Sequence, residues 1–134
     1  MIAYPPERVD GAVAAALRRL DRHFAPLARA AQEVAILAYL DPEWRVLGMR
    51  HVAAGNAASL ALSLRTVVAD AIAFDAVAVA MAHNHPSGDP TPSVADYQIT
   101  RRLAVTLDAI GVRLVEHVVL ARGGCDRFRA RGLL

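Results

Sequence analysis

At 134 residues the chain has room for one domain with a single core, and 55% hydrophobic against 21% charged residues excludes a disordered chain. Arginines and polar residues interrupt every apolar run before the roughly 18 residues that cross a bilayer, and the N-terminus lacks the basic start and apolar core of a signal peptide, so neither a membrane span nor export is expected. All 15 basic residues are arginine, for a net charge of +2. Apart from Arg127, Arg129 and Arg131 they are scattered, which reads as a solvated surface rather than a nucleic-acid face.

Pro5-Pro6-Glu7 leads into a helical pattern in which Val13, Leu17, Leu20 and Phe24 recur at helical spacing, and Pro26 ends or kinks it. This segment, residues 1–30, is expected to be a packing or dimer helix ahead of a main domain at 31–134. Glu33 to Leu40 is a near-continuous apolar run of strand length, closed by the turn signal Asp41-Pro42. Arg45 to Val52 is expected to return as its hairpin partner, with Val46 and Met49 on the buried face and Gly48 at a bulge or close approach. Trp44 reads as a packing anchor. A small-residue loop follows, and Ser59 is expected to cap a helix running to about Ile72, with Leu60, Leu64, Val67 and Val68 as its apolar stripe.

The next strand, Ala76 to Ala82, delivers His83 and His85. Strand side chains alternate faces, so both imidazoles project to one side of its carboxyl end. A loop rich in Pro and Gly comes next, and Ser93-Val-Ala-Asp96 opens an amphipathic helix expected to reach Ile110 and to bury Ile99, Leu103, Val105 or Thr106, and Leu107. Gly111 stands where a glycine stop belongs. Val112 to Ala121 reads as a further strand, Arg122-Gly-Gly-Cys-Asp126 as a turn, and Phe128 as tucked in before the C-terminus. Cys125, the sole cysteine, reads as a bystander; with no partner for a disulfide it agrees with a reducing cytoplasm. The order is α-β-β-α-β-α-β, an α/β fold with a mixed sheet and helices packed on it.

Two imidazoles and a carboxylate are three ligands of a catalytic zinc site, although the same donors suit other divalent ions. The competing reading makes His83 and His85 polar surface, and Ser93 with Asp96 a helix capping box. Ser87 and Asp89 read either as groups that orient an imidazole or as turn formers. His117 reads either as a group supporting the site or as a hydrogen-bonded core histidine. His23 and His51 carry no signal.

His83-X-His85, seven residues, Ser93, two residues and Asp96 resemble the metal motif of the JAB/MPN (JAMM) metalloproteases. The string His83-Asn-His-Pro-Ser-Gly-Asp-Pro-Thr-Pro-Ser93 resembles the bacterial RadC-like (UPF0758) branch in particular. The likeness runs from about Glu33 to the C-terminus. It implies the cytidine-deaminase-like sandwich, a Zn2+ on His83, His85 and Asp96, an upstream Glu as general base, and a Ser that helps hold the oxyanion. Glu33 occupies the place of the base and Ser93 that of the oxyanion residue. By sequence logic alone an acid before an apolar strand is a solvated strand end, and a Ser that caps a helix is hard to share with catalysis. Relatives usually show Gly-Thr before the second helix where this chain has Gly55-Asn56. They also usually carry a helix-hairpin-helix module, which nothing here resembles.

The expected function is therefore a zinc-dependent hydrolase acting on a peptide or isopeptide of a protein substrate. The alternatives are a DNA-processing or DNA-repair accessory, which would bind nucleic acid with a steep salt dependence, and a non-catalytic interaction domain.

Overall fold

The computed structural model describes residues 6–53 and 62–134 of the chain. Five strands form one sheet: β1 (Val34–Leu40), β2 (Val46–Ala53), β3 (Ala78–Asn84), β4 (Arg113–Ala121) and β5 (Gly124–Arg127), in the order β2-β1-β3-β4-β5. Only β3 and β4 run parallel, joined through helix α3 (Val94–Asp108); the other neighbours are antiparallel. The sheet is mixed, and alternation sorts the residues of its central strands onto two apolar faces.

One face carries Ile36, Ala38 and Leu40 of β1 with Ala78, Ala80 and Ala82 of β3, packed under helix α1 (Pro6–Phe24) through Leu17, Leu20 and Phe24. The three alanines present almost no side-chain height, so the helix layer lies close on the strand. Val13, the remaining member of the expected stripe, has a side chain outside the described residues. Pro26 falls in a 3-10 helix (Ala25–Arg29) that turns the chain toward β1. Arg127 of β5 donates to both carboxylate oxygens of Asp21 at 2.8 Å, fastening α1 to the far edge of the sheet. The other face carries Ala35, Leu37 and Tyr39 with Val79 and Met81, covered by α3 and by helix α2 (Leu64–Ala73).

Several local expectations need correcting. Ser63, not Ser59, caps α2, its hydroxyl accepting the Thr66 N–H at 3.2 Å; Ser59, Leu60 and the Gly55-Asn56 pair lie outside the described residues. Val46 is exposed rather than buried. The β1–β2 register slips there: Tyr39 faces Gly48 while Leu40 faces Val46, so Leu47 is an extra residue and the parity counted from the sequence fails. Met49 is half-buried as expected, and Trp44 packs on the core. Gly48 is a close approach, since a Cβ there would overlap the Phe74 ring. In α3 the buried positions are Asp96, Thr100, Leu103 and Leu107; Ile99 and Thr106 are half-buried, and Val105 faces solvent. The helix ends at Asp108, two residues short of the expected Ile110, and the glycine stop stands at Gly111 as expected (φ 75°), where the Val112 and Gly111 N–H groups reach back to Leu107 and Asp108. The segment after Ala121 turns only at Arg122-Gly123, and Gly124–Arg127 returns as β5 with Cys125 exposed on it.

Phe128 is buried as expected, and the backbone around it is pinned by Glu116. One Glu116 oxygen accepts the N–H groups of His117 and Arg129, each at 3.0 Å. Burial pushes the Glu116 carboxyl above its ordinary range, and those two amides recover only part of the shift. Glu116→Gln keeps an acceptor and sheds the buried charge, so at pH 7 it should unfold at or above the wild-type temperature. Glu116→Ala leaves both amides unpaired and should cost about 2–4 kcal/mol. Thermal melts of the two variants side by side check this, and equal losses would contradict it.

Candidate metal centre

The carboxyl end of β3 and the start of β1 meet at one edge of the α3 face. His83 and Met81 share a face of β3, and Ala35 lies opposite His83 across the β1–β3 ladder, its methyl leaving room for the imidazole. His85 follows in the same phase. Asp96 projects from the first turn of α3, and Glu33 stands just ahead of β1. One ligand atom from each of Glu33, His83, His85 and Asp96 lies within 4.8 Å of all the others. The four positions singled out in the sequence converge. His23 and His51 are exposed and outside the cluster.

The two imidazole Nε2 atoms are 3.0 Å apart. Asp96 spans them, with Oδ1 3.1 Å from His83 Nε2 and Oδ2 3.1 Å from His85 Nε2. Glu33 stands further back, 3.9 Å from His83 Nε2. The capping and ligand readings of Asp96, which the sequence set against each other, hold together in the structure. Asp96 Oδ2 accepts the Ser93 N–H at 2.8 Å while Ser93 Oγ accepts the Asp96 N–H at 3.1 Å, and Oδ1 remains turned to His83. The capping box fixes the carboxylate rather than consuming it. Burial pushes the Asp96 carboxyl up, but His83 when protonated, by its hydrogen bond and charge, and the bonds from Ser93 outweigh it and hold it well below the usual carboxylate range.

The donor set fits a divalent cation, and one observation tests this. His85 Nδ1 lies 2.9 Å from the Asp89 carbonyl oxygen. A carbonyl only accepts, so His85 carries a proton on Nδ1, and when the ring holds no second proton its Nε2 presents a lone pair to Asp96 Oδ2. Two acceptors held that close repel each other unless a positive centre lies between them. Imidazole nitrogen with carboxylate oxygen is a donor set for zinc and for several other divalent ions. The side chains of Ser87 and Asp89 shape the turn: Asp89 Oδ1 accepts the Thr91 N–H at 3.0 Å and Ser87 Oγ accepts the Asp89 N–H at 3.4 Å. The Asp89 main chain orients His85.

Two supporting residues escaped the sequence reading. Asn84, between the ligands and on the opposite face of β3, accepts the Val34 N–H at 2.6 Å and donates to the Gln32 and Ala30 carbonyls at 2.9 and 3.3 Å. It clamps the segment that carries Glu33. Asn84→Ala strands those groups and should lower stability by about 2–3 kcal/mol; a wild-type urea midpoint would show that water replaces the clamp. Thr100, one helical turn after Asp96, lies 2.6 Å from His117 Nδ1, and His117 Nε2 lies 2.6 Å from His83 Nδ1, so His117 is a hydrogen-bonded core histidine that also touches the cluster. Burial holds the His117 ring well below the usual imidazole range. Of the clustered C-terminal arginines, Arg127 and Arg131 are tied to Asp21 and Asp126.

A family model described as the RadC-like JAB domain matches residues 12–133. The chain belongs to this family. The match to RadC-like JAB domains takes in most of α1, starting earlier than the motif resemblance, which begins near Glu33. Curated relatives include a UPF0758 protein of Symbiobacterium thermophilum, 43% identical over 71% of this chain and 41% of its own length. UPF0758 proteins of Cupriavidus pinatubonensis and Methylibium petroleiphilum are 42% and 39% identical over 81% of this chain, covering 47% and 49% of their own lengths. The chain thus spans less than half of each of these relatives. The mixed sheet with α1 on one face and α2 and α3 on the other is consistent with a JAB/MPN-type fold. No helix among the described residues is long and apolar enough to cross a membrane.

Proposed function

We propose that the chain is a zinc-dependent amide hydrolase of the JAMM type, cleaving a peptide or isopeptide bond of a protein substrate. The observation that carries this reading is the convergence of His83, His85 and Asp96 with a second acid, Glu33, standing apart from them. A divalent ion held there supplies Lewis acidity, lowering the pKa of water from 15.7 to roughly 7.

His83, His85 and Asp96 are the ion's ligands, two rigid imidazoles and a carboxylate pre-set by its capping box. Glu33 is the general base. It lies 3.9 Å from His83 Nε2 where Asp96 lies at 3.1 Å, and its side chain is 15% exposed, so it borders the cluster and also meets solvent. From that place its carboxylate takes the proton of the attacking water and passes it to the leaving amine. Ser93 spends its oxygen lone pair on the Asp96 N–H, which leaves its hydroxyl proton free; the residue is exposed beside the ligands. It donates to the developing oxyanion. Capping and catalysis use different halves of one hydroxyl.

Hydrolysis of a panel of peptide and lysine-linked isopeptide reporters tests the proposal. Cleavage is expected to vanish on chelation and to return with zinc. A zinc-loaded, folded chain that cleaves none of them, or cleavage indifferent to chelation, would overturn it.

A further inference from the structure

We propose that Thr100 and His117 form a proton-ordered relay that locks His83 in the tautomer whose Nε2 lone pair faces the metal; the inference rests on the metal-centre reading above. The order of the protons follows from the geometry. Thr100 Oγ1 lies 2.6 Å from the Asp96 carbonyl oxygen. That oxygen cannot donate, so the single hydroxyl proton of Thr100 is spent on it. The same Oγ1 lies 2.6 Å from His117 Nδ1, and with its proton committed it accepts from Nδ1–H. The His117 ring is wholly buried, and among the described residues its nitrogens meet only Thr100 and His83. With its one proton on Nδ1, its Nε2 accepts, and His83 Nδ1, 2.6 Å away, is the donor. In the neutral ring His83 Nε2 is then the unprotonated nitrogen, 3.1 Å from Asp96 Oδ1.

The relay starts at the main-chain carbonyl of Asp96 and ends at His83, whose Nε2 faces the Asp96 carboxylate, so one chain of bonds crossing from α3 to β4 to β3 ties together the elements that carry two ligands. His83, His117, Thr100 and Asp96 are all buried, which leaves no solvent to substitute for a missing member. Two features hold His117 in place. Its ring stacks on Phe128, with centroids 4.6 Å apart and planes 14° from parallel. The β3–β4 register also slips by one residue between Val79 and Ala80, so Leu114 and His117, three apart in sequence, face the same side of the sheet. Without that slip His117 would point away from the ligands.

Thr100 and His117 are positioning residues, and the test reads the tautomer directly. Long-range proton–nitrogen NMR of the metal-free, 15N-histidine-labelled chain, recorded above about pH 8 where an imidazole is ordinarily neutral, is expected to show His83 and His117 both protonated on Nδ1. Thr100→Val, nearly isosteric, frees His117 to move its proton to Nε2 and should weaken zinc binding about 10–100-fold; Thr100→Ser should restore it. His83 protonated on Nε2 in the wild type, or a folded Thr100→Val with wild-type zinc affinity, would overturn the relay. The wild-type spectrum needs no variant to fold. A wild type that takes up no zinc would overturn the metal reading instead, while the same spectrum still decides the relay.

Discussion

Replacing His85 by alanine is expected to lower zinc affinity by more than about 100-fold while leaving the chain folded. Loss of a supporting group beyond the ligands costs about 10–100-fold, and loss of a ligand costs more. His85 is the ligand to remove because its side chain retains 16% exposure and, among the described residues outside the cluster, it bonds only the Asp89 carbonyl. His83 is a poorer choice. It is wholly buried and bonded to His117, so its loss would mix a cavity with a lost ligand. Isothermal titration of zinc into the chelated protein, with a thermal melt as control, separates the two effects. Unchanged affinity in folded His85→Ala would remove this residue from the ligand set.

Glu33→Gln is expected to keep the metal and to lose about 10²–10⁴ of the hydrolytic rate, the usual contribution of a positioned general base. The amide matches the carboxylate in shape but cannot accept the water's proton at neutral pH. Its nearest ligand atom, His83 Nε2, is 3.9 Å away, so the substitution removes no short contact from the other three residues. Zinc titration and turnover on the same sample distinguish the roles. Retained metal with collapsed turnover assigns the base. Lost metal would make Glu33 a ligand, and unchanged turnover would place the base elsewhere.

The clustering of His83, His85 and Asp96 was legible because it depends on local rules. His83 and His85 share a face by strand alternation, and Asp96 sits at a helix start marked by Ser93. What the sequence hid depends on register and on partners distant in the chain. Val46 was placed on the wrong face because the slip opposite Tyr39 and Leu40 inserts Leu47. His117 stayed ambiguous for a related reason, since the slip in the β3–β4 ladder decides which face it takes. β5 was read as a turn: Gly123, Gly124 and Asp126 are turn residues by type, and only pairing with β4 makes a strand of them. Thr100 drew no notice, yet its spacing of four from Asp96 put it on the same helix face. The capping and ligand roles of Asp96 looked exclusive in sequence because a residue was counted as one function. A carboxylate has two oxygens, and each faces a different partner here.

The chain's own contacts also bear on the wider protein. The C-terminal arginines that suggested a basic end are engaged in folding: Arg127 with Asp21 and Arg131 with Asp126. Their charge is offset locally, which leaves less of it to attract phosphates.

The most direct test of the central claim is the metal content of the purified chain, measured by elemental analysis after dialysis against zinc. One tightly held ion per chain is expected in the wild type and none in His85→Ala. A folded wild type that retains no ion would contradict it, because nothing would then offset the facing lone pairs of His83, His85 and Asp96 but protons.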